Sequence, residues 1–386
     1  MKMRRAIPAL SGGTAAALVM MGAAPALASP ARGAHSRSTS ITSILQAGNT
    51  VTGVRGTGGG GVVLTGLAAV SGSQAAFLFR GRLGAAAGAA VSVLHPAFRK
   101  VTSATFYGPD THLFNPRAIR RGQVRAVGSY LSSAAPPGVR NQGMIYLGPL
   151  SGRDGSWTSI DVPAHGRSVT GHVRACPASR RRCHVMDTIP HSTMGNLVVG
   201  NYDLNPAVHG GLASGNAFIY NITRRQWTLL RMHGSLSTKS TFYGIWQDGG
   251  PRSPRYTLAG GSSAHGGQRG FLVNYNERTG AFGRPAFYSY GGRPAIFTHF
   301  EGITTVHGGF NLVAMGSGHS PALVFIPARG QSFGRARWYT ANVSGSSLCP
   351  CNAVSGNTVW RNHIMGLYIP KSSPSAHTYL ATIPAR

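Results

Sequence analysis

Four runs, "STFYGIW" (240–246), "RYTLAGGS" (255–262), "GFLVNYN" (270–276) and "RPAFYSY" (284–290), decide how this chain folds. Each is short, rich in aromatic and β-branched residues, and bounded by Gly, Pro, Asn or Arg. Each therefore reads as a strand, and the stretches between them as turns. Four consecutive strands joined by turns make one antiparallel sheet. Parts of the same arrangement recur on both sides: "NLVVGNYD" (196–203), "NAFIYNI" (216–222) and "WTLLRM" (227–232) before it, "FNLVAMG" (310–316), "ALVFIPA" (322–328), "HIMGLYI" (363–369) and "TYLATIP" (378–384) after it. No long stretch carries helical periodicity, so the chain is expected to be all-β.

Two glycine series count the repeats. One comprises Gly53, Gly108, Gly171, Gly244, Gly302 and Gly356; the other, ending apolar runs, comprises Gly66, Gly128, Gly200, Gly260, Gly316 and Gly366. Both recur about every 60 residues, which predicts six β-rich units and a six-bladed β-propeller. A glycine in each innermost strand suits strands that converge on an axis and approach one another closely. The last unit runs out of chain after "TYLATIP". The segment "STSITSIL" (38–45) is expected to supply its missing outer strand and close the ring, removing an exposed edge. Residues 38–386 then form one domain.

The first residues place Lys2, Arg4 and Arg5 before an Ala-, Leu-, Val- and Met-rich run ending in Ala26-Leu27-Ala28. This predicts a signal peptide, residues 1–28, removed on export, followed by a flexible leader, residues 29–37. No other apolar run approaches the length of a membrane span. The chain is read as an exported, extracellular or periplasmic monomer.

The 386 residues contain 37 Lys plus Arg against 8 Asp plus Glu. Three readings fit so basic a chain. A large positive potential attracts anionic envelope polymers or polysaccharide. A protein with few carboxylates has few to protonate in an acidic medium. The arginine excess is also what a coding bias would leave.

Four cysteines in an exported chain point to disulfides. Cys176 and Cys183 bracket "PASRRR"; Cys349 and Cys351 flank Pro350 in a tighter pair. Local pairing is preferred, because the third and sixth units of a ring lie opposite each other, and cross-pairing is the alternative. Structural zinc spacing is absent, and neither a metal nor a cofactor is implied.

The aromatic spacing of two repeats, Tyr220 with Trp227 and Tyr275 with Phe282, together with the double glycine Gly260-Gly261, resembles kelch-like secreted propellers. The resemblance covers roughly a third of the chain after the signal and implies a fold, with no particular chemistry.

Candidate sites are few. Glu301, beside the inner-strand Gly302, is the carboxylate expected to face the axis. With His299 two residues earlier it forms the candidate acid–base pair. Arg180, Arg181 and Arg182, held between Cys176 and Cys183, form the densest positive cluster and the candidate anion-binding residues. Eight histidines, His299 among them, are expected in loops on one face; His191 is placed in the opposite loops. The expected function is a binding or surface-associated module, the alternative a secreted carbohydrate-active hydrolase or lyase with its site at the propeller mouth.

Overall fold

The structure, a computed structural model, describes residues 39–164, 175–176, 183–205, 215–230, 239–263, 268–290, 299–315 and 320–384. The predicted signal and leader, Gly171, Gly316 and Arg180 to Arg182 lie outside the described residues. The described chain is all-β, with a single 3-10 turn at Leu83–Ala85.

Strands follow one another as antiparallel meanders in five sheets. The largest consists of two meanders, one opening with Asn49–Gly58 and the other with Val101–Thr111, joined through one parallel pair, Gln74 and Ser103. Three further sheets open with Val185–Met194, Ser240–Asp248 and His299–Val306. In the fifth, the inner position is shared by Cys351–Val354 and Thr358–Trp360. These opening strands touch in order along the chain, and Thr358–Trp360 touches both His299–Val306 and Asn49–Gly58, so the series of contacts returns to its start. The fifth sheet takes its outer strand from the other end of the chain: Ser40–Ile44 pairs antiparallel with His377–Thr382, from Ser40 opposite Thr382 to Ile44 opposite Thr378.

The second glycine series has a cause that the sequence did not reveal. The opening strands bulge: Val51 pairs with Gly66 and Gly53 with Thr65, leaving Thr52 extra. The bulge drives the carbonyl of the residue two places earlier toward the partner strand. A Cβ on Gly128 would lie 1.9 Å from the Thr105 oxygen, and one on Gly260 1.8 Å from that of Thr241, so only glycine fits. In the His299–Val306 sheet the bulge falls one residue later, between Glu301 and Ile303. The residue opposite Phe300 is there Ala314, which corrects the expected Gly316.

The first series is corrected too. Gly53 and Gly108 follow their bulges, and a Cβ on Gly53 would meet the Tyr107 carbonyl at 2.1 Å. In the Val185–Met194 strand the equivalent residue is Ser192, not Gly171, and in the last sheet it is Thr358, which meets Gly302 as Gly108 meets Gly53, not Gly356. Phe106 and Phe242, just before their bulges, and Phe300, two residues before its own, are fully buried. Phe242, Phe271 and Phe300 join Met194, Val199 and Phe310 in a core spanning three sheets; each buried ring contributes roughly 2–3 kcal/mol. The two disulfides are local, Cys176–Cys183 and Cys349–Cys351, as preferred. The aromatic pairs Tyr220–Trp227 and Tyr275–Phe282 are cross-strand partners with ring centroids 4.6 and 4.8 Å apart.

Candidate functional site

Each bulge turns one side chain away from the sheet. In four opening strands that residue is Thr52, Tyr107, His191 or Tyr243; Glu301, paired with Val313 just before its shifted bulge, and Asn357, between the two inner strands of the last sheet, take the corresponding places, and all six are half-buried. The equivalence of the first and last is visible in their bonds. The Thr52 hydroxyl donates to the Phe106 carbonyl of the next opening strand, and the Asn357 amide donates to the Val51 carbonyl at 2.8 Å.

Four neighbouring positions form a continuous wall. The Tyr107 and His191 rings are 5.2 Å apart, His191 and Tyr243 4.5 Å, and Tyr243 stacks on His299 at 4.7 Å. His299 Nε2 lies 3.0 Å from Glu301 Oε1, with the two side chains 23% and 25% exposed. The sequence-predicted pair is thus brought together at the end of this wall, with His299 opening a strand where a loop was expected. His191 also belongs there, on a strand, which corrects its placement in the opposite loops.

Behind the wall, His191 is oriented through a short relay. Its Nε2 lies 2.8 Å from Asn201 Oδ1; Asn201 Nδ2 donates to Asp203 Oδ1 at 3.3 Å, and the Gly215 amide donates to the same oxygen at 2.7 Å. Burial holds the His191 imidazole below its ordinary value of 6.5 against the opposing pull of Glu301 and Asn201, so it is neutral at pH 7. Burial first, and then the nearby Glu301 charge, push the Tyr243 phenol above its ordinary range; burial does the same for Tyr107. Both phenols stay protonated and able to donate.

Three residues further along, the opening strands bring Arg55, Trp246 and Trp360 together with Phe114. Arg55, 4% exposed, donates through Nε to the Pro109 carbonyl at 3.2 Å and through a terminal nitrogen to the Thr193 carbonyl at 3.4 Å. Phe114 stands edge-on to both Trp246 and Trp360, at 5.4 and 6.3 Å. Burial lowers the Arg55 guanidinium to about 10, with Asp110 acting in the opposite sense, so it remains a cation at neutral pH.

The chain's few carboxylates sharpen the assignment. Asp110 pairs with Arg125, and Asp187 with Arg140. Asp161, Asp203, Asp248 and Glu277 accept hydrogen bonds from scaffold groups: Gly143 N–H, Gly215 N–H, the Thr257 hydroxyl and the Asn221 amide, respectively. Glu301 occupies a position where other strands carry Thr, Tyr, His or Asn, so the scaffold does not require an acid there.

Among the described residues, no group of three or more His, Cys, Asp or Glu side chains is placed to hold a metal ion. No helix among them is long and apolar enough to cross a membrane. Tyr107, Tyr243 and Asn201 escaped the sequence reading. Aligning "FYG" (106–108), "PHS" (190–192), "FYG" (242–244) and "FEG" (300–302) on their middle residues would have found the axial positions.

No protein-family model matches the chain, and no curated protein matches it. Similar solved structures include a luciferin-regenerating enzyme, 9% identical with a TM-score of 0.45, covering 90% of this chain and 96% of that one. A catalytically inactive virginiamycin B lyase from Staphylococcus aureus with quinupristin is 9% identical at a TM-score of 0.42, covering 90% and 99%. Trypanosoma rangeli sialidase in complex with sialic acid is 8% identical at 0.45, covering 91% of this chain and 59% of that one. Likeness at this level says nothing of chemistry.

Proposed function

We propose that the protein is an exported six-bladed β-propeller, residues 38–386, that binds an anionic cell-envelope polysaccharide and seats one of its sugar units on the axis. The signal peptide, residues 1–28, and the leader, residues 29–37, deliver it outside the membrane. The observation that carries the reading is the unbroken contact of Tyr107, His191, Tyr243, His299 and Glu301 from four successive opening strands. The polar groups of this wall are phenol hydroxyls, imidazole nitrogens and a carboxylate, of which His191 Nε2 and His299 Nε2 are already bonded to Asn201 and Glu301, and a set of this chemistry suits a hydroxyl-rich molecule. The chain's excess of Lys and Arg, whose densest run in the sequence is Arg180 to Arg182, attracts the polymer from a distance. A single axial carboxylate does not supply the pair that glycosidic hydrolysis uses, and this favours binding over a glycosidase.

The test is binding of residues 29–386 to phosphate-rich, sulfated and neutral glycans across a salt series, repeated with Tyr243→Ala and Glu301→Gln. A salt-resistant component that either substitution weakens about tenfold supports the axial site. Binding that salt abolishes entirely, equally in wild type and variants, overturns it.

A further inference from the structure

We infer that His191 is a general base acting on acyl esters in the axial site, with Asn201 and Asp203 as the positioning residues that fix its tautomer. This rests on the axial binding reading. The tautomer follows from hydrogen-bond polarity alone. Asp203 Oδ1 receives both the Gly215 amide and Asn201 Nδ2, so the Asn201 amide nitrogen faces Asp203 and its oxygen faces His191. A carboxamide oxygen only accepts, so the proton of the neutral imidazole sits on Nε2, 2.8 Å away. The lone pair is left on Nδ1. Base, orienting amide and anchoring carboxyl form the arrangement expected of an activated proton acceptor, and the anchor is tied to the backbone.

The groups facing His191 are Tyr107 and Tyr243 on either side, Glu301 and His299 beyond Tyr243, and Asn201 behind. An ester needs one base and no second carboxylate, which matches this inventory. A solvent water gives a proton to Nδ1 as its oxygen bonds to the acyl carbon, and the carbonyl electron pair moves onto oxygen. The phenols of Tyr107 and Tyr243, which flank His191 and are hydrogen-bonded with Ser129 and Thr241, are assigned as donors to that oxyanion once they turn to it. Collapse re-forms the carbonyl and breaks the bond to the alkoxy oxygen, which takes the proton back from Nδ1. The products are a carboxylic acid and an alcohol, and the imidazole ends neutral. The substrate class is an O-acylated, hydroxyl-rich ligand.

The experiment measures hydrolysis of p-nitrophenyl acetate by residues 29–386 against pH, for wild type, His191→Gln and Asn201→Ala, together with the 15N spectrum of the histidines. Wild type should show a rate inflection below pH 6.5 and His191 protonated on Nε2. His191→Gln should lose about a hundredfold in rate. Asn201→Ala should lose about tenfold and show a mixed tautomer, which a merely structural role would not produce. A folded His191→Gln protein that keeps the wild-type rate overturns the inference, as does a wild-type His191 protonated on Nδ1; the spectrum decides even if His191→Gln does not fold. Glycan binding without any His191-dependent hydrolysis defeats this inference alone. Hydrolysis without glycan binding defeats the binding reading alone.

Discussion

The guanidinium of Arg55 lies over the indole of Trp246, 5.5 Å from the ring centroid, although the two residues belong to different sheets. A cation held against an aromatic face and two carbonyls is a strong cross-sheet tie, because the charge has already left water and would be left uncompensated if any partner were lost. Arg55→Ala is expected to cost about 3 kcal/mol in urea unfolding. Arg55→Lys should recover only part of this, since an ammonium cannot reproduce the planar fork.

The bulges set a sharp rule for the second strands. Gly128→Ala places a methyl group 1.9 Å from the Thr105 carbonyl oxygen, where backbone must move to admit it. The expected destabilisation is at least about 3 kcal/mol. Ala314 stands opposite Phe300, ahead of a bulge shifted by one residue, and already carries a Cβ. Ala314→Gly should therefore cost only about 1 kcal/mol, the backbone-freedom and methyl-burial terms. Similar unfolding midpoints for the two variants would remove the bulge explanation.

Acid should act on this protein in two opposing directions. Burial raises the Asp248 carboxyl to about 6, against the Thr257 hydrogen bond and the charge of Arg255, and it raises Asp161 and Asp203 in the same sense. Their contribution to stability is complete below the unfolded value near 4 and is lost as pH rises through the folded values. His191 and His363, held below 6.5 by burial, contribute stability above 6.5 that is lost as pH falls through their folded values. Asp248→Asn keeps an acceptor for Thr257 and removes the ionisation. It should be about 2 kcal/mol more stable than wild type at pH 7.5 and equal to it at pH 4, measured by urea midpoints.

The two disulfides differ in what their removal should cost. Cys176 and Cys183 are buried and seven positions apart; Cys349 and Cys351 are half-buried and two apart. Loop-closure entropy assigns about 2.5 kcal/mol to the first and about 1.5 to the second. Paired Cys→Ala variants in denaturant melts check the order.

The all-β composition and the strand at Ser40–Ile44 were legible in the sequence because each depends on local pattern: alternating apolar runs and turn residues. Glu301 and His299 were legible because "FEG" matched "FYG". His191 was not. Its strand carries Ser192 where others carry glycine, and Gly171 upstream stood close enough to the expected period to take its place. Asn201 and Asp203 were hidden for a different reason, since their role comes from pairing between adjacent strands, which no single stretch displays. Ala314 follows from a bulge shifted by one residue, and Thr358 stands two positions beyond the expected Gly356; both are fixed by pairing across the whole sheet.

The pairing of Ser40–Ile44 with His377–Thr382 also sets a timetable. The first described strand is made more than three hundred residues before its partner and waits through that growth. Until then the earliest strand has an open edge, and the sheets that follow lack their final neighbour. A product that stops before His377 loses the clasp along with the missing residues, and should behave as an aggregation-prone intermediate rather than as a slightly smaller protein. Contacts this distant in sequence also predict slow folding, with the ends meeting as a late step.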